Sequence, residues 1–74
     1  MKEIKWQPLG DDDFCGSIAE DTDYMIWQEV EGDPVVLSLF RGEFETILSI
    51  HGSVDEAKQA AQKHFSYCVA KDFF

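Results

Sequence analysis

The chain has 74 residues, is 45% hydrophobic and carries a formal charge of −9, with 15 acidic residues against 6 basic ones. So short a chain holds one domain (residues 1–74), and its charge excludes direct nucleic-acid binding and anionic membranes while favouring basic protein surfaces. Six Phe, two Trp and two Tyr exclude a disordered chain.

The first ten residues carry Lys2, Glu3 and Lys5 and lack the apolar stretch of a secretory signal. No apolar run approaches the roughly 20 residues that cross a bilayer. A cytoplasmic protein is expected, with Cys15 and Cys68 as free thiols. Residues 2–7 read as a short edge strand stopped by Pro8 and Gly10. Beyond the Asp11-Asp12-Asp13 loop, residues 14–20 read as a further strand that leaves through Glu20-Asp21-Thr22-Asp23.

Residues 24–31 are rich in strand formers, with Tyr24, Ile26 and Val30 on one side and Met25, Trp27, Glu29 and Glu31 on the other. Gly32-Asp33-Pro34 is a turn. Residues 35–40 form the next strand, Val35, Leu37 and Leu39 opposing Val36, Ser38 and Phe40. Arg41-Gly42 closes a hairpin into residues 43–50, which place Phe44, Leu48 and Ile50 opposite Glu45, Ile47 and Ser49.

Ser53 and Glu56 make a capping box, and Ala57, Ala60, Ala61, His64, Phe65 and Cys68 recur with the helical period. A helix over about residues 54–67 follows. The expected class is α+β: a three- to four-stranded antiparallel β-meander over about residues 14–50, with one C-terminal α-helix packed on one face.

If that helix covers Ile26, Val30, Leu37, Leu39, Phe44, Leu48 and Ile50, the opposite face presents Met25, Trp27, Val36, Phe40 and Ile47 among polar residues. A sheet with one solvated face alternates more strictly than this. The face is completed by Trp6, Leu9 and Phe14 or by Phe73 and Phe74, or it meets a second copy, or it docks another protein.

No catalytic or metal-binding motif is present, so no enzyme and no cofactor is expected. His64 sits on the apolar helix stripe, His51 precedes the helix cap, and neither cysteine has a basic neighbour that would activate it. Cys15, His51, His64 and Cys68 lack the paired short spacing of a zinc site, and Asp21 and Asp23 open a calcium-loop pattern that Met25 and Ile26 break. The informative feature is charge. From Asp11 to Glu45 eleven carboxylates accompany one cation, Arg41, an excess of ten negative charges. The candidate partner-binding residues are Asp11, Asp12, Asp13, Glu20, Asp21, Asp23, Glu29 and Glu31, with Trp27 as an aromatic anchor.

The segment Asp23-Tyr24-Met25-Ile26-Trp27, then residues 35–40 and 47–50, then Ser53-Val54-Asp55-Glu56-Ala57-Lys58-Gln59-Ala60-Ala61, resembles the sheet-then-helix layout of short phage and prophage proteins. Size and acidity are also similar to anti-CRISPR proteins, anti-restriction DNA mimics and the uracil-DNA glycosylase inhibitor. The resemblance implies a non-enzymatic inhibitor in the host-cell cytoplasm that occupies the basic surface of a nucleic-acid-binding defence protein. The alternative is a homodimeric structural or regulatory module whose charge serves solubility.

Overall fold

The computed structural model describes residues 3–10, 13–30 and 32–72. Five strands run in chain order: β1 (Lys5–Pro8), β2 (Phe14–Ala19), β3 (Thr22–Trp27), β4 (Val35–Arg41) and β5 (Phe44–His51). The helix α1 (Val54–Ala70) follows. The sheet order is β1-β2-β3-β4-β5, each neighbour antiparallel, so the chain is an α+β meander with one helix on one face. Five strands replace the three or four expected. The fifth is β1, whose terminal Pro8 is tolerated because an edge strand needs amide donors on one side only.

The helix begins where local chemistry dictates. The Ser53 hydroxyl accepts from the Glu56 amide at 3.2 Å, and the Glu56 carboxylate accepts from the Gly52 amide at 3.3 Å. Asp55 and Glu56 occupy the first turn, beside the positive end of the dipole. The helix runs three residues past the expected end, because Cys68 continues the buried stripe of Ala57, Ala61 and Phe65. It stops at Lys71, whose amide donates to the Tyr67 carbonyl, and Asp72 turns left-handed at φ 64°.

Ala57 and Ala61 let the helix backbone approach the sheet closely. Beneath them lie Tyr24, Ile26, Val35, Leu37 and Leu39, with Ile4 completing the buried core. Trp6 and Phe14 pack against this same cluster. They sit on the helix side of the sheet because Trp6 is paired with Gly16 and Phe14 with Ile26.

Two assignments to the helix side are corrected. Strand β3 ends at Trp27 and not at residue 31: the Gln28 amide turns toward an Asp13 carboxylate oxygen at 3.4 Å, and its side chain donates to the Asp33 carbonyl. Val30 therefore falls in the connection and is exposed. In β5 the register shifts between Leu37 and Ser38, so Leu37 pairs with Ser49 but Ser38 pairs with Ile47. Leu48 is the extra residue and packs against the core. The bulge reverses the expected parity beyond it. Ser49 moves to the helix side and Ile50, paired with Val36, moves to the opposite face. Phe44 keeps the expected side but lies past the helix and is 80% exposed.

Candidate functional site

Register assigns the residues of the face opposite the helix, because directly paired residues share a face. One row is Trp27, Val36 and Ile50; the next is Gln7, Cys15, Met25, Ser38 and Ile47; the third is Lys5, Ser17, Asp23, Phe40 and Glu45. Ile47 and Ile50 are more than half exposed, while Met25, Trp27, Val36 and Phe40 are half-buried. Among the described residues the one helix lies on the other face, and Trp6 and Phe14 lie there too. Leu9 is exposed. Phe73 and Phe74 lie outside the described residues.

Trp27 is held in place. Its indole N–H donates to the Ser38 hydroxyl at 3.1 Å, and Ser38 is completely buried. A buried hydroxyl on the open side of a sheet is stable only with a partner, and the indole supplies it. The ring therefore enters any interface with its orientation already set, which lowers the entropy lost on binding.

The meander sorts the carboxylates to two ends of this face. Glu20 and Asp21 form the β2–β3 turn, and Glu43 lies in the β4–β5 turn beside it, joined by the Gly42 amide donating to the Asp21 carbonyl at 2.6 Å. Asp23 and Glu45 flank Phe40 one row inward. Asp23 also accepts a hydrogen bond from the Ser17 hydroxyl. At the other end Asp13, Glu29 and Asp33 lie in the β1–β2 and β3–β4 connections. Asp11, Asp12 and Glu31 lie outside the described residues. The six residues of β2 separate the two groups by about 20 Å at the usual strand rise of about 3.4 Å. Asp13 and Glu29 are thus brought together, as are Glu20, Asp21 and Asp23, but the two sets are not contiguous.

Four participants, Ser38, Ile50, Glu43 and Glu45, were not among the candidate partner-binding residues expected from sequence. Ile50 reaches this face only through the bulge between β4 and β5, for which the sequence has no signal, and Ser38 becomes the partner of Trp27 through the register of β3 and β4. Glu43 and Glu45 join Asp21 and Asp23 only because two turns meet at one end of the sheet.

A second cluster lies between sheet and helix. The Tyr24 hydroxyl is 2.6 Å from His64 Nδ1, and the Cys68 sulfur is 3.7 Å from the same ring. Burial raises the Tyr24 phenol pKa, with the Cys68 charge adding to it, so the phenol stays protonated, and its hydroxyl shares a hydrogen bond with Nδ1. Burial likewise raises the Cys68 thiol, only partly offset by the Arg41 charge, and lowers His64. All three groups are held neutral. A thiol so placed is the opposite of an activated nucleophile. Cys15, on the open face, is also raised, by burial and then by the negative charge of Asp23.

A pH dependence follows from His64. Its folded-state pKa lies below the unfolded value of 6.5, so the neutral ring favours the folded state. That contribution is complete above pH 6.5 and is lost as pH falls through the folded pKa. Wild type should therefore lose more thermal stability than His64→Gln between pH 7.5 and pH 5. Carboxylate protonation acts on both proteins alike, so the difference isolates the imidazole. Parallel melting curves would contradict this.

Among the described residues no three His, Cys, Asp or Glu side chains gather closely enough to hold a metal ion. No described helix is long and apolar enough to cross a membrane. No family model, no curated protein and no solved structure matches this chain.

Proposed function

We propose that this chain is a non-enzymatic binding protein that occupies a basic surface of another protein, of the kind that binds nucleic acid. The observation that supports it is the open sheet face, with an oriented Trp27 among Val36, Ile47 and Ile50 and carboxylates gathered at both ends. Aromatic anchors surrounded by a polar rim are the usual anatomy of an interface core. Because apolar side chains separate the two acidic groups, the face suits a partner with an apolar patch between two basic ones. A continuous lattice of phosphates is a poorer analogue. The charge steers association and makes it sensitive to salt.

The test uses the immobilised chain and a lysate, eluted at rising salt. Wild type should retain basic proteins that leave as ionic strength rises. One variant neutralises Glu20, Asp21, Asp23, Glu43 and Glu45 to Gln or Asn, and another neutralises Asp13, Glu29 and Asp33. Asn at position 21 keeps a residue type that accepts the φ of 62° found there. Each variant should release the partner at lower salt, and Trp27→Ala should lose it while remaining folded. Retention indifferent to all three variants would defeat the proposal, and unfolding by Trp27→Ala would make that residue part of the core.

The alternative, a homodimer through the same face, has Ile47 and Ile50 in its favour. Each copy, however, brings a charge of −9 to the contact. Sedimentation over a concentration range separates the two: self-association should strengthen with salt, and binding to a basic partner should weaken.

A further inference from the structure

The two edges of the sheet are built differently. β1 is four residues long, begins with Lys5 and ends with Pro8, which has no amide to offer. Short length, lysine and proline are the devices by which proteins blunt a sheet edge. β5, at the other edge, is eight residues long and has neither lysine nor proline. It carries Phe44, Ile47 and Ile50, all exposed. Its bulge at Leu48 interrupts the outer ladder once, leaving Phe44–Ile47 as an uninterrupted stretch beside Glu43 and Glu45.

We propose that this stretch of β5 takes up an extended, basic segment of the partner as a sixth strand. The inference rests on the reading of the chain as a binder of basic surfaces, and it specifies how such a surface is held. In a strand paired on one side, alternate amides and carbonyls point outward and are free to extend the ladder. Main-chain hydrogen bonds supply the attachment, and side chains supply the choice. Apolar residues of the incoming strand meet Ile47 and Phe44 on the two faces, and a lysine or arginine meets Glu45 or Glu43. Charge selects the occupant. A second copy would bring another Glu43 and Glu45 and a further nine negative charges, whereas a basic strand neutralises what is already there.

The experiment uses the full chain and two synthetic peptides of equal length and charge, one alternating lysine with valine, the other the same sequence with every backbone amide N-methylated. Both can meet the carboxylates, but only the first has the amides that a ladder needs. The unmethylated peptide should slow hydrogen exchange of the outward-facing amides of Phe44–Ile47 several-fold, more strongly at low salt, and the methylated peptide should not. If both peptides bind and neither slows these amides, the added strand is wrong while the basic-partner reading stands. If neither peptide binds at low salt, both fall. If the amides are already protected without peptide, increasingly so with protein concentration, the occupant is a second copy and the assignment to a basic partner is overturned.

Discussion

Replacing Tyr24 by alanine is expected to cost a large share of the folding stability of this domain. Tyr24 is fully buried and is the largest such side chain. Its ring meets His64 edge-on at 5.7 Å between centroids and Phe65 at 6.5 Å, and its hydroxyl is hydrogen-bonded to His64 Nδ1. Truncating a buried aromatic to alanine costs about 3–5 kcal/mol, through lost transfer energy and the cavity left behind. At about 0.05–0.15 kcal/mol per residue, a chain of this length has roughly 4–11 kcal/mol in total. Tyr24→Phe keeps the ring and removes the hydrogen-bond partner of a half-buried imidazole nitrogen, at a cost of about 1–3 kcal/mol. Urea unfolding followed by circular dichroism should rank wild type above Tyr24→Phe, with Tyr24→Ala far below both. Equal midpoints for the two variants would show that the hydroxyl, and not the ring, carries the effect.

Gly16→Val is the second substitution with a large expected effect. A Cβ at position 16 would lie 2.4 Å from Cγ2 of Ile4 and 3.1 Å from Cε3 of Trp6. Gly16 pairs with Trp6 across β1 and β2, and the missing side chain is what lets the indole lie across the strand. Overpacking of this kind costs about 1–3 kcal/mol. Much of the damage should be local, since β1 pairs with β2 alone, and the segment is otherwise held by the Ile4 amide donating to Gln62 at 3.0 Å and by Ile4 and Trp6 packing against the core. Hydrogen exchange should accelerate in β1 before it does in β3 and β4, and Trp6 emission, read in a Trp27→Phe background, should shift toward that of exposed indole. The same change at Gly10 meets no atom within 4 Å and serves as the control. If Gly16→Val melts with wild type and β1 stays protected, Trp6 does not depend on that gap.

Where local chemistry is decisive, the amino-acid order was sufficient. Ser53 and Glu56 placed the helix start, since a capping box involves residues three apart and no tertiary partner. Val35, Leu37 and Leu39 marked the buried side of β4, because its ladder with β3 runs without a shift and the extra residue of the bulge belongs to β5, so β4 keeps its period of two. The α+β class follows from these two signals and the short connections between strands.

The end of β3 and the bulge at Leu48 were decided elsewhere. The first depends on Asp13 and Asp33 capturing Gln28, and the second on how Leu37 and Ser38 meet a strand that began at another turn. A bulge changes parity by one residue without changing composition, so Ile50 reads as core in the chain and lies on the open face in the molecule.

Charge shows the same division. That Asp11 to Glu45 is strongly acidic is a property of the chain, and it sets the sign of the charge that the chain carries. How those carboxylates group in space is a property of the meander. Its successive turns fall at alternate ends of the sheet, so Asp13 parts from Asp21 while Asp21 meets the turn that carries Glu43. The apolar strip that runs from Trp27, Val36 and Ile50 to Met25 and Ile47 lies between, because side chains of adjacent strands become neighbours only when backbone hydrogen bonds set their register.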